Sequence, residues 1–245
     1  MANYLIISGT SSIGFSVAEK LLNPGNQVFI TGRLQEKTEK IANKLNVPFV
    51  VIDASDFAAV DSAFEQAISK MGVINGVINC AGSLLLKSAH LTRQNEYENI
   101  ISANLTTAFA TVRSAGKYMT KEGGSIVLVS SAAAMTGLAN HEAIAAAKAG
   151  VIGLTLSAAA TYASYNLRVN AIAPGLVETE MTKSITANES ALKASAGMHA
   201  LGRIGNTDDI ASAIIFFLSP ENSWITGQVL GVDGGLSRIR PKLKI

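Results

Sequence analysis

Ser131 and Lys148, with Ile144 between them, are the residues whose types and spacing bear on chemistry first. The stretch GGSIVLVSSAAAMTGLANHEAIAAAK, residues 123 to 148, ends an apolar run on two serines and then enters an alanine-rich segment of helical character. Helix positions four apart share a face, so residues 144 and 148 point together, back toward Ser131. A serine hydroxyl can hold a carbonyl oxygen, and a lysine ammonium can hold a sugar hydroxyl. Ile144 can neither donate nor accept a proton. His141, three residues earlier, is the tentative surrogate donor, although a helix N-terminus disfavours a cationic imidazole there by about 0.3 to 1 kcal/mol. The alternative for His141 is a polar residue at the lip of the site. His199 is a weaker candidate, and His90 reads as a surface residue.

These residues need a frame, and the rest of the chain supplies its pattern. Apolar runs at 4–8, 27–31, 48–52, 73–79, 125–130, 167–173 and 228–232 read as strands. Between them lie segments of helical period at 13–22, 57–71, 92–119, 142–163 and 207–218, and the charged LQEKTEKIANKL. Strands alternating with helices predict an α/β fold: a doubly wound, parallel, seven-stranded sheet with helices on both faces. We read a single domain over 1–245, with one long segment of mixed pattern at about 178–200 that reads as a lid. Such a sheet takes its ligand beyond the carboxyl ends of the strands, where the strand order reverses.

Several stretches agree in order and spacing with one family. VINCAG at 77–82, Asn104, NAIAPGLVETEM at 170–181, LGRIGNTDDIA and ITGQVLGVDGG together resemble the short-chain dehydrogenase/reductases, most closely their 3-oxoacyl carrier-protein reductase branch. The resemblance implies a Rossmann-type fold and a catalytic group of Asn104, Ser131 and Lys148 completed by a tyrosine four residues before the lysine. In this family that tyrosine gives the proton, the serine holds the substrate oxygen, and the lysine binds the nicotinamide ribose. Here the tyrosine position is Ile144.

The same resemblance implies a dinucleotide along Gly9, Ser11, Ser12, Ile13, Gly14, Arg33, Asp53, Ala54, Asn79, Cys80, Ala81, Gly82, Lys148, Pro174, Gly175, Val177 and Thr179. The glycine loop departs from the family's Thr-Gly-x3-Gly-x-Gly, since Ser8-Gly9-Thr10-Ser11-Ser12-Ile13-Gly14 is either ungapped with serines for two glycines or one residue short with Gly9 retained. Both alignments stay open. Arg33 stands where an acid would read a free ribose hydroxyl, which favours NADP(H) over NAD(H). Asp53 matches an adenine contact, or alternatively caps the following helix.

Composition bounds the rest. With 48% hydrophobic residues, 16% charged and a net charge of +2, the chain can bury a full core and has no dense basic run outside RIRPKLKI at its end, so no nucleic-acid partner is expected. A single cysteine fits a reducing cytoplasm, and MANYLIISGT reads as no signal peptide. The apolar run at 149–165 is short for a membrane span and carries hydroxyls, so it reads as a buried helix. By resemblance the alanine-rich helix packs in a homo-oligomer, dimer or tetramer. Two functions from different classes compete: an NADP-dependent oxidoreductase on a small-molecule or acyl-thioester substrate with a non-standard proton donor, and a poorly catalytic or non-catalytic subunit that pairs with an active relative in a hetero-oligomer.

Overall fold

The computed structural model describes residues 1–22 and 25–240; the last five residues of the basic tail lie outside this range. Seven strands form one sheet: β1 (Asn3–Ile7), β2 (Gln27–Gly32), β3 (Phe49–Val51), β4 (Gly76–Asn79), β5 (Gly124–Val129), β6 (Leu167–Pro174) and β7 (Val229–Val232). Their order is β3-β2-β1-β4-β5-β6-β7, with all neighbours parallel. The order reverses between β1 and β4, and that is where a crevice must open.

Side-chain alternation along the strands divides the core into two layers. Leu5 and Ile7 of β1 face one way, with Val77, Ile126, Leu128 and Val169 of the inner strands. They pack under α3 (Phe57–Met71), α5 (Thr107–Tyr118) and α6 (Glu142–Tyr162). Tyr4 and Ile6 face the other way, with Ile30, Ile78 and Val127, under α1 (Ser12–Leu22), α2 (Gln35–Leu45) and α9 (Thr207–Leu218). Both faces of the inner strands are therefore apolar, as a parallel sheet covered on both sides requires.

Helix starts follow their capping residues. Ser11 Oγ accepts from the Gly14 amide at the head of α1, and Asp56 accepts from Ala58 and Ala59 at the head of α3. Asn206 and Asp209 form a reciprocal capping box on α9. The cap of α3 is thus Asp56, and Asp53 is left for another role.

Two expected elements differ from their sequence reading. The long helix at 92–119 is broken into α4 (Gln94–Ile101), a π-helical stretch Ser102–Thr106, and α5. Its cause is Asn104, whose amide donates to the Ile100 carbonyl at 2.9 Å and gives that carbonyl a side-chain partner. The strand expected from residue 73 begins only at Gly76, because the Asn3 side chain takes the Val73 carbonyl. Other ends move by one or two residues.

The α6 helix is apolar enough, at a mean hydropathy of 1.6, to meet the length and composition test for a membrane span. It packs instead on the sheet beside β6, through Val151, Ala158 and Ala159.

Residues 178–200 hold α7 (Lys183–Thr186) and α8 (Glu189–Met198), joined by short turns.

Candidate functional site

A cleft of about 790 Å³ opens at the carboxyl ends of the strands around the β1–β4 reversal. Its floor at one end is the turn after β1. Ser8 there takes a left-handed conformation (φ 60°), normally left to glycine, and the Ser11 amide donates to the Ser8 carbonyl. Gly9 and Gly14 are sterically required. A Cβ on Gly9 would stand 2.7 Å from the Ile30 side chain, and one on Gly14 would stand 2.7 Å from the Ser8 carbonyl oxygen. The chain therefore keeps glycine where backbone and β2 close in, and bears the strain of a turn at a serine.

The first-turn amides of Ser12 and Ile13 have no intrahelical carbonyl, as at any helix start, and both residues line the cleft. That is the arrangement on which a pyrophosphate rests. Arg33 and Lys37 line the next part, Asp53 and Ala54 the part after that. Asp53 Oδ1 accepts from the amide and hydroxyl of Ser55, and these bonds, with Arg33 nearby, hold its carboxyl below the ordinary carboxylate range. Asn79 spends its side chain on fixing the next turn: it donates to Thr111 Oγ1 at 2.9 Å and accepts from the Ala81 amide at 2.8 Å. Cys80, Ala81 and Gly82 then form the wall, and Pro174, Gly175, Val177 and Thr179 form the opposite one. Burial pushes the Cys80 thiol up to about 12, so it is inert at neutral pH.

Lys148 reaches back to the end of β5 that carries Ser131, and Ile144 packs one helical turn before it. Ser131 Oγ accepts from the Ala133 amide at 3.1 Å, which leaves its hydroxyl proton available. Ile144 is only 4% exposed and belongs to a small apolar cluster with Ile100, Ala143 and Ala147, packed against Leu84, Leu85, Ile101 and Leu105. The loop carrying Leu84 and Leu85 is tied across the site, since the Lys87 amide donates to the Asn140 carbonyl and Ser88 Oγ to Asn140 Oδ1. Lys148 is 6% exposed, and its ammonium donates to the Val129 carbonyl at 2.8 Å. Desolvation lowers its pKa to about 8, a little offset by Cys80.

Neither Ser131, Ile144 nor Lys148 lines the cleft. Asn104 is buried beside it, bonded to Ser83, and a Cβ on Gly82 would stand 2.9 Å from its Oδ1 and 3.6 Å from the Lys148 ammonium. Lys148 thus stands behind Gly82, one layer back from the cleft. His141 heads α6, where its Nδ1 bonds the Ala139 carbonyl of its own loop at 2.7 Å; among the described residues this is its only side-chain hydrogen bond.

Glu180 had no signal in the sequence reading, and His199 was there only a weaker candidate. Glu180, in the lid segment, bridges the cleft: its amide donates to Ser12 Oγ at 3.3 Å and its carboxylate pairs with Lys37 at 2.6 Å. The place of Lys37, in the first turn of α2 and four residues after Arg33, was the cue available. His199 is buried behind the Pro-Gly wall. Among the described residues no group of three or more metal-ligating side chains occurs.

Comparison with known proteins adds a lineage to this geometry. Residues 7–237 match the family model described as enoyl-(acyl carrier protein) reductase. The chain is 37% identical over 206 residues to the 3-oxoacyl-[acyl-carrier-protein] reductase FabG of Thermotoga maritima, covering 83% of this chain and 81% of that one. It is 34% identical over 242 residues to the trans-4-hydroxycyclohexanecarboxylate dehydrogenase of Sinomonas cyclohexanicum, covering 94% and 91%. Among solved structures it is similar to a short-chain type dehydrogenase/reductase from Mycobacterium ulcerans (TM-score 0.93, 28% identity, 98% and 91% covered). It is also similar to ElxO with NADP bound (TM-score 0.90, 31% identity, 96% and 98% covered).

Proposed function

Because the chain belongs to the short-chain dehydrogenase/reductase family, in its FabG-like branch, we propose that it binds NADP(H) in the cleft while lacking the proton donor that makes its relatives efficient ketoreductases. The observation that carries this reading is the pairing of a complete nucleotide cleft with an apolar plug: glycines where a Cβ would collide, free first-turn amides and two cations on one side, and Ile144 buried among leucines and isoleucines on the other. The ElxO neighbour solved with NADP supports the cofactor class.

In this reading Ser12 and Ile13 hold the pyrophosphate, Arg33 and Lys37 the 2′-phosphate, Asp53 and Ala54 the adenine end, and the 79–82 and 174–179 turns the nicotinamide half. The cofactor supplies the hydride when bound. Ser131 donates to the substrate oxygen. Lys148 holds the Val129 carbonyl at the end of β5 with one of its three donors and has others to give the nicotinamide ribose. With no acid at 144, turnover on a 3-oxoacyl thioester is expected to fall by the 10²- to 10⁴-fold that general acid catalysis contributes. The reading of His141 as surrogate acid draws no support from its bond to Ala139.

Titration with NADPH and NADH, followed by a reductase assay on a short 3-oxoacyl thioester, tests the proposal. Tight NADPH binding with slow turnover supports it; rapid turnover would show that another acid operates. Arg33→Ala should weaken NADPH about tenfold or more, the worth of a charge-assisted bond, and leave NADH unchanged. Equal affinities of the unmodified protein for the two cofactors would remove Arg33 from this role.

The partner-subunit role is favoured by a separate observation. The outer face of α6 is apolar yet exposed, with Leu156 open between Gly153 and Ala160, and Phe109 is exposed on the adjoining α5. A helix apolar on all sides is one that is covered on all sides. The protein is therefore expected to run as a dimer or tetramer in light scattering, alone or with an active relative in the cytoplasm. A monomer at micromolar concentration would dispose of the interface.

A further inference from the structure

His199 is the buried group that the proposed chemistry leaves without a task. It closes α8 as the C-cap residue, is 3% exposed, and makes hydrogen bonds with both ring nitrogens. Nε2 receives the Leu176 amide at 3.2 Å, and Nδ1 lies 2.7 Å from the Ser195 carbonyl in the last turn of α8. An amide nitrogen can only donate, so Nε2 carries no proton and Nδ1 must hold the one it gives to Ser195. The two bonds are compatible with the neutral ring in this tautomer alone.

The ring also leaves no slack against the cleft wall. A Cβ on Gly175 would stand 2.6 Å from His199 Nε2, and the Gly234 turn closes on the other side. One side chain thus ties the lid helix, the Pro174–Thr179 wall of the cleft and the C-terminal turn together. We propose that His199 is a positioning residue that pins the cofactor wall to the lid only while its ring is neutral, so that dinucleotide affinity falls on acidification. This rests on the reading of the cleft as a dinucleotide site.

The physical reason is direct. A proton on Nε2 would set one N–H against another at Leu176 and break the tie, and it would place a charge inside the fold. Asp233, on the C-terminal turn, is the acid that faces the ring. Burial works to raise its pKa, but the Ser237 hydroxyl and the Ser237 and Gly235 amides hold it low. Its carboxylate is already taken by those three donors. Lys193 and Glu189 on α8, Glu178 on the wall and Arg203, paired with Asp209, are exposed.

The test measures NADPH affinity of the full chain from pH 8 to pH 5 for the unmodified protein, His199→Gln and His199→Phe. Glutamine accepts and donates without titrating. The unmodified protein should lose about tenfold or more, with a slope no steeper than one proton per site. His199→Gln should be flatter by that amount, and His199→Phe weaker by about tenfold at every pH, because it leaves the Leu176 amide unpaired. An equal acid loss in His199→Gln overturns the proposal. So does nitrogen NMR of the unmodified protein showing the Nε2–H tautomer at pH 8, a readout that needs neither variant to fold. If NADPH binds at no pH, the cofactor reading fails separately, and hydrogen exchange decides here: protection of the Leu176 amide lost by pH 5 in the unmodified protein but kept in His199→Gln supports the tie, and equal loss in both refutes it.

Discussion

Ile144→Tyr should raise turnover on a 3-oxoacyl thioester by about 10²-fold at saturating NADPH, the lower end of what a positioned acid contributes. The serine hydroxyl proton that must meet the substrate oxygen is still available, and Lys148 still stands one helical turn along α6. The gain is held to the lower end by two features of the site. Lys148 spends one of its N–H donors on the Val129 carbonyl, so less of its ammonium is turned toward the phenol. The phenol must also displace part of the cluster formed with Leu84, Leu85 and Ile100. Overpacking of that kind costs about 1 to 3 kcal/mol, so the variant should melt earlier while working faster. Unchanged turnover with NADPH binding intact would mean that the site has lost its substrate geometry as well as its acid, and the partner-subunit role would then stand alone.

Removing the buried ammonium should reshape the dependence of stability on pH. The Lys148 pKa is lowered from 10.5 to about 8 in the fold, so between these values the unfolded chain holds a proton that the folded chain has released. Stability contributed at this site therefore rises with pH across that window, and the penalty of the buried charge is fully present below about pH 8. Measured as the difference between the unmodified protein and Lys148→Met, the rise should approach about 3 kcal/mol by pH 10.5. Cys80, whose thiol is pushed up to about 12, works in the opposite sense over the same alkaline range, but it is present in both proteins and largely cancels in the difference. A difference that stays flat from pH 7 to pH 10.5 would mean that the ammonium is solvated and that its bond to Val129 does not persist.

Much of this molecule follows from short-range pattern. The seven strands, their parallel pairing and the two-sided core come from continuous apolar runs alternating with helical segments, a signal carried within ten or twenty residues. The cleft walls were legible for the same reason: Gly9, Gly14, Gly82 and Gly175 mark places where a neighbouring group comes too close for a Cβ, and only glycine permits it. The absence of an acid at Ile144 needs no coordinates at all.

What the tertiary structure decided is which partner each polar group takes. Spacing put Lys148 on the face that looks back toward Ser131, and only the fold shows that its ammonium takes the Val129 carbonyl two residues before that serine, because it is buried behind Gly82 where a carbonyl is the acceptor within reach. Glu180 meets Lys37 across 143 residues, and His199 meets Leu176 across 23, through contacts that exist only once residues 178–200 have packed against the rest of the fold. Helix and strand periods act along a few turns of chain and are written locally. Burial and hydrogen-bond choice depend on which distant segments arrive beside a group, and that is settled by packing the whole sheet and its two helical layers at once.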